Sequence, residues 1–421
     1  MKRVAIVVQR CHKSVAGGSE TLAWQYASLL SESYEVDVLT TTALDITTWA
    51  NALPEGVERS SEGIRIHRFP VTMGRTPYWY HLHARLLKDF DAYDVGRAAA
   101  SQGDVRFLPW SIPLQEEFIT RQGPYSAPLL EFLGERWSDY QSIIFVTYLY
   151  PTTYFGLLQI PRGRAFVVPT LHDEEPAYLS AYSHVMRRAQ RMIWLTEAER
   201  RLGRELWGEL AGSVIAMSVE AAPREPSQPA AQYLMYSGRI DPNKGCAEMF
   251  NYFLRFKREF PSELRLVLTG QSTMELPSDA HIEFRGFVEP EEKFRLMAGA
   301  SVFLMPSANE SFSIVSLEAM GQSTPVLANE ASEVLKDHVT ESRAGRLYNG
   351  YESFAATLNE MLSDVSALAE MGRRGREYIV SRYGHEAVQA ALVEAVESCT
   401  KEGEMKGEPL LSTETGAGRG L

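Results

Sequence analysis

Val4-Ala5-Ile6-Val7-Val8, then Gly17-Gly18-Ser19-Glu20 with apolar residues at Leu22, Tyr26, Leu29 and Leu30, then Tyr34-Glu35-Val36-Asp37-Val38-Leu39-Thr40: this stretch decides the fold. The first run is short and continuously apolar, as expected of a strand buried on both faces of a parallel sheet. The glycine pair leads into a helical spacing, and the third run reads as a second strand. Strand, glycine loop, helix, strand is the opening of a doubly wound α/β domain.

Working outward, residues 72–140 carry aromatics (Tyr78, Trp79, Tyr80, Trp110) and helical spacing but no clean period. Strands are expected again at 142–147, 165–169, 192–196 and 214–217. The run Ala221-Ala222-Pro223-Arg224-Glu225-Pro226-Ser227-Gln228-Pro229 is polar and proline-rich, the mark of a linker. It divides the chain into an N-terminal unit of 1–220, a linker of 221–231 and a second α/β unit of 232–384. Strands of the second unit are expected at 233–237, 264–269, 282–285, 302–305 and 325–328. Helices are expected at 353–362 and 367–398, with a break near Tyr383-Gly384, and a disordered tail over 401–421.

The chain has 421 residues, 45% hydrophobic and 23% charged, with a net charge of −12. This length exceeds one ordinary core and favours two domains. The acidic balance excludes general nucleic-acid binding, which needs clustered Lys and Arg. Cys11, Cys246 and Cys399 are far apart, so neither a disulfide framework nor a metal-binding cysteine cluster is expected. The apolar run after Met1-Lys2-Arg3 is too short for a secretory signal, and no run approaches a membrane span. A cytoplasmic protein is the expectation, with contact at a membrane surface and the oligomeric state left open.

Four constellations carry candidate chemistry. In the first, Pro306-Ser307-Ala308-Asn309-Glu310-Ser311-Phe312-Ser313-Ile314-Val315-Ser316-Leu317-Glu318 follows one expected strand and opens a helix. Unpaired amides at such a helix start suit a phosphate or a sugar oxygen. Glu310 would lie in the loop and Glu318 about two turns along the helix, one carboxylate for the reacting sugar and the other for a ribose diol. In the second, Gly238-Arg239-Ile240-Asp241-Pro242-Asn243-Lys244-Gly245 puts two cations on one strand-to-helix loop, suited to neutralising a leaving diphosphate. The third is Gly17-Gly18, where a backbone can approach a ligand closely. The fourth is His172, just after the strand at 165–169, where an imidazole could meet a sugar hydroxyl or an acceptor proton. Each also has a plain reading: a solvated surface glutamate, ordinary surface charges, a tight turn, a capping histidine.

In this order the four pieces resemble family 4 of the retaining glycosyltransferases, with the GT-B architecture of two facing Rossmann-like domains and a cleft between them. The likeness is most specific over 233–330, where Ser237-Gly238-Arg239, Lys244-Gly245, Arg285-Gly286-Phe287-Val288 and Glu310 with Glu318-Ala319-Met320 stand at family-like spacing. The resemblance implies a nucleotide-sugar donor held mainly by the second domain, with the base near Gly286, Phe287 and Val288. It implies a ribose held by Glu318 and a diphosphate held by Arg239 and Lys244. Sugar hydroxyls would be met by Glu310 and by the backbone from Ser311 through Phe312, Ser313 and Ile314. A glycan or other hydroxyl acceptor would bind the N-terminal domain, and the helix around 385–400 would cross back onto it. No metal or other cofactor is implied. The chain departs from the family where Ser313 replaces the usual glycine, in Gly321-Gln322-Ser323-Thr324-Pro325 and in Asn329-Glu330-Ala331-Ser332-Glu333. A nucleotide-sugar-binding protein that has lost transfer, and a nucleotide-sugar epimerase, remain the alternatives.

Overall fold

Two mainly parallel sheets organise the computed structural model, which describes residues 2–12, 17–97, 105–227 and 232–405, with side chains to residue 398. The first sheet has eight strands in the order Gly212–Val214, Arg191–Trp194, Ala165–Val168, Ser142–Val146, Arg3–Arg10, Glu35–Thr41, Arg65–Phe69 and Gly56–Arg59. All pairings are parallel except the last. The opening strand behaves as its composition demands. Val4, Ile6 and Val8 enter one apolar core and Ala5 and Val7 enter another on the opposite face, all fully buried.

The second sheet runs Ile282–Phe284, Arg265–Thr269, Tyr233–Ser237, Val302–Met305, Val326–Asn329, Gly345–Tyr348, and every pairing is parallel. In both sheets the strand order reverses beside the first strand of the unit. In the second sheet, Tyr233–Ser237 pairs with Arg265–Thr269 on one side and Val302–Met305 on the other. Loops that leave neighbouring strands there diverge to opposite faces and open a crevice, the usual ligand position in open α/β sheets.

Several strands of the structure lie outside the expected set. Arg65–Phe69 is charged in sequence, yet Arg65 pairs with Asp37 (2.6 Å) and Arg68 with Glu58 (2.5 Å), so its charges are neutralised within the sheet. Gly56–Arg59 is an exposed edge strand with no apolar period. The illegible segment contains helices Pro77–Ala92, Ile112–Gln122 and Ala127–Arg136.

The chain passes between the two units at residues 215–221 and again at 383–385. The two passages touch, the Val219 N–H donating to the Tyr383 carbonyl (3.0 Å). After the break at Tyr383-Gly384, the helix His385–Met405 lies on helix Gly18–Ser31, where Gln389 Nε2 donates to the Leu29 carbonyl (3.1 Å). This corrects the expected tail. Helix continues to Met405 because Lys401, Glu402 and Glu404 are good helix formers and Gly403 costs only about 1 kcal/mol. Residues 406–421 and the linker stretch 228–231 lie outside the described residues. Among the described residues no helix is long and apolar enough to cross a membrane.

Candidate functional site

The crevice of the second sheet is built by two loops that leave adjacent strands. From Tyr233–Ser237 the chain enters Gly238 (φ 144°), whose N–H donates to the Thr269 carbonyl (3.0 Å). Arg239 Nε then donates to Asp241, and Asp241 caps the short turn Pro242–Lys244 by accepting the Lys244 N–H (3.1 Å). Gly245 follows at φ 72°, and a Cβ there would lie 2.5 Å from the Pro306 carbonyl oxygen of the facing loop. Only glycine permits both that conformation and that approach. Across the resulting gap Lys244 Nζ donates to Glu310 Oε1 at 2.7 Å. Arg239 keeps about half its side chain exposed (49%).

The facing loop turns sharply before its helix. Ser313 sits in the left-handed region (φ 58°, ψ 54°), and the helix is Ile314–Gly321. Glu318 is therefore its fifth residue, a little over one turn in rather than two, because a left-handed residue cannot extend a right-handed helix backwards. The amides of Phe312, Ser313 and Ile314 have no acceptor among the described residues. Glu318 is buried, and burial raises its pKa against the pull of Lys293. Lys293 Nζ meets both its oxygens, at 2.8 and 2.7 Å.

The third part of the edge is glycine-lined. Gly270 donates its N–H to the Gly286 carbonyl (2.8 Å), and a Cβ on Gly270 would overlap the Gly238 carbonyl. Gly286 has φ 67°, Phe287 is 66% exposed and Val288 is half-buried. An exposed phenylalanine beside an open glycine turn leaves an apolar surface at this end of the second sheet.

The first sheet faces this edge with the turn after Ala165–Val168. A cleft pocket of about 280 Å³ is shared by Leu171, His172 and Arg201 on one side and Asn309, Glu310 and Ser332 on the other. The structure thus brings His172 and Glu310 to one cavity; the His172 Nδ1 itself is buried and has no hydrogen-bond partner among the described residues. Beneath it Glu199 accepts from the Leu171 and Leu195 amides (2.7 and 2.5 Å). Burial pushes the Glu199 carboxyl up to about 8, opposed by the backbone N–H groups of Leu195, Leu171 and Thr196. Two contacts close the cleft on this side: Thr196 Oγ1 donates to the Ser311 carbonyl (3.4 Å), and Arg201 pairs with Asp337 (2.8 Å).

Gly17 and Gly18 stand at the start of helix Gly18–Ser31 in the first unit. Gly17 lies against Glu20 and Arg10 of its own domain, where a Cβ would be 2.1 Å from the Glu20 carboxylate, and nothing lies within 4 Å of a Cβ on Gly18. The described contacts join neither glycine to Lys244 or Glu310. Sequence reasoning missed Lys293, Gly270 and Glu199; only Gly270 had a local signal, as a glycine directly after an apolar run. Among the described residues, no group of three or more His, Cys, Asp or Glu side chains is placed to hold a metal ion.

Residues 220–378, less than half of the chain, match the family model described as glycosyl transferases group 1. A D-inositol 3-phosphate glycosyltransferase of Corynebacterium urealyticum is 36% identical over 111 residues, 26% of this chain and 26% of that protein. The phosphatidyl-myo-inositol mannosyltransferase of Mycolicibacterium smegmatis is 26% identical over 268 residues, 59% of this chain and 69% of that protein. The chain thus spans about a quarter of the first relative's length and about two thirds of the second's. Among solved structures, the sucrose-phosphate synthase of Thermosynechococcus elongatus superposes with a TM-score of 0.65 at 15% identity, over 96% of this chain and all of that one. Anabaena HepE, solved in complex with UDP and glucose, gives 0.67 at 15% identity over 94% of this chain and all of that one. The architecture is the GT-B fold.

Proposed function

We propose that this protein is a glycosyltransferase that moves a sugar from a nucleoside-diphosphate sugar to an acceptor hydroxyl, with retention at the anomeric carbon and without a metal ion. The observation that carries the reading is the Lys244–Glu310 contact across the crevice of the second sheet, with Arg239 on the same turn. The donor's diphosphate would sit against these two cations and the free amides of Phe312, Ser313 and Ile314, where aligned N–H groups favour negative charge. Glu318, oriented by Lys293, offers two acceptor oxygens to a ribose diol. The base would lie near Gly286, Phe287 and Val288.

Lys244 Nζ pairs with Glu310 Oε1. A diphosphate competes for that ammonium, and a carboxylate released from it can accept from sugar hydroxyls. During transfer the bond from the anomeric carbon to the diphosphate oxygen breaks as the acceptor oxygen bonds on the same face. The acceptor proton passes to the departing phosphate oxygen, and Arg239 and Lys244 stabilise the charge that develops there. His172 would meet the sugar from the opposite domain, since it lines the same cavity as Glu310.

HepE is solved with UDP and with UDP-glucose, so UDP-sugars are the first donors to test. Incubation with labelled donor and a panel of hydroxyl acceptors should give a glycoside of unchanged anomeric configuration by NMR, undiminished in excess EDTA. Arg239→Ala and Lys244→Ala should each lower turnover by about 100-fold or more, the scale of one lost charge-stabilising group. An inverted product, dependence on a divalent ion, or both variants within threefold of wild type would refute the corresponding part of the proposal.

A further inference from the structure

Every strand of the first sheet except the antiparallel edge strand ends on one edge, and that edge carries a cation with no ion-pair partner among the described residues. Arg75 precedes helix Pro77–Ala92 and is partly buried. Its guanidinium lies over the Trp79 ring at 4.1 Å and beside Trp49 at 5.8 Å. Its Nε is committed to the Gln122 carbonyl (3.3 Å). The remaining two nitrogens have no partner among the described residues, and no carboxylate lies within ion-pair distance. Burial pulls its pKa down.

The carboxylates nearby act on Arg75 only from a distance, each held by other groups. Asp45, the carboxylate whose charge Arg75 feels, already receives the amides of Thr47 (2.8 Å), Thr48 (2.6 Å) and Ala50 (3.3 Å). Arg10 on the same edge is neutralised by Glu20 (2.5 Å). Glu174 is taken by the Tyr148 hydroxyl (2.6 Å). His83 stacks on the other part of Trp79 (4.8 Å), and burial keeps it toward the neutral form. Tyr150 stands between these groups, its hydroxyl raised to about 12 by burial with Glu20, Arg75 and Arg10 nearby.

A guanidinium stacked on an indole and tied by Nε presents its two terminal nitrogens as a fixed fork. That fork matches the two oxygens of a phosphate or carboxylate. Among the described residues nothing pairs with that fork, so an anion of matching shape can take it. The same edge leads to the cleft, because the turn that carries His172 continues into Glu174 and Glu175, whose charges reach His83.

We infer that the acceptor bears an oxyanion, a phosphate ester or a carboxylate, and that it is received by the terminal nitrogens of Arg75, whose guanidinium Trp49 and Trp79 hold in place. This inference rests on the proposed transfer for the word acceptor, but the anion site can be tested alone. The probes are inorganic phosphate, glucose 6-phosphate, glucuronate and glucose, read by tryptophan fluorescence and isothermal titration on wild type, Arg75→Gln and Arg75→Lys. At least one anion should bind wild type and perturb the fluorescence, and glucose should not. Arg75→Gln should weaken that binding about 10- to 100-fold, the worth of a bidentate charge-assisted contact. Arg75→Lys, which keeps the charge without the fork, should retain an intermediate affinity and confirm that the pocket is intact. Preference for glucose 6-phosphate assigns a phosphate acceptor, and preference for glucuronate a carboxylate. Equal binding of glucose and its anionic analogues, or anion binding unchanged in Arg75→Gln, overturns the inference. Nucleotide affinity, measured in parallel, should be the same in all three proteins. A chain that binds anions through Arg75 but no nucleotide would refute the transfer and leave the anion site standing.

Discussion

Glu318 shows how a single buried carboxylate is kept ready. Its environment raises the carboxyl pKa, yet the two short contacts from Lys293 hold both oxygens in place and resist protonation. If Glu318 holds a ribose, which does not change during reaction, Glu318→Gln should weaken donor and free nucleotide alike. Lys293→Met should do the same, because it frees the carboxylate to turn. Glu310→Gln should instead lower kcat and leave nucleoside diphosphate affinity nearly intact. Titration of the three variants beside single-turnover rates decides this, and nucleotide affinity lost in Glu310→Gln alone reverses the roles. Glu310 and Glu318 were legible in the sequence because they flank one strand-to-helix junction. Lys293 was not, since nothing local relates residues 25 positions apart on different elements. Ser313 was legible only as a departure from the family, and its left-handed backbone now gives the physical reason a glycine is usual there.

At the scale of elements, the turn that carries His172 is fastened from below. Helix Glu197–Trp207 begins with Thr196 capping the Glu199 N–H (3.0 Å), and the Glu199 side chain reaches back to the amides that end two strands. Its pKa of about 8 in the fold lies above the ordinary carboxyl value of 4.5. The folded protein therefore holds a proton that the unfolded chain releases, and stability falls as pH rises from about 4.5 to about 8. Glu199→Gln removes this slope, so its Tm relative to wild type should improve steadily between pH 5 and pH 8 in thermal unfolding, by an amount on the order of a few degrees. A constant difference across that range would show that Glu199 is ionised throughout. Strands with continuous apolar runs, such as Tyr233–Ser237 and Val302–Met305, were readable to the residue. Arg65–Phe69 was not, because its partners Asp37 and Glu58 lie on other strands and a charged run has no apolar period to read. The helices between 77 and 136 escaped for a related reason, as Trp79, Phe118 and Trp110 pack with one another across elements rather than along one stripe.

For the molecule as a whole, the apolar core does not stop at the boundary between the sheets. One continuous cluster runs from Val4, Ile6 and Tyr26 through Ile215, Met217 and Val219 to Val388, Leu392 and Val396, and on into the second unit. Leu392 is fully buried in it, so Leu392→Ala should cost about 2–5 kcal/mol in urea unfolding. A loss below about 0.5 kcal/mol, the range of surface substitutions, would mean the last helix is only loosely laid on the first domain. The two passages between the units carry a further consequence. Because Val219 and Tyr383 are hydrogen-bonded to each other, the covalent crossings lie side by side like a pair of pins on one door. If the two units turn on these crossings, the Thr196–Ser311 and Arg201–Asp337 contacts are the ones that such a turn would have to break.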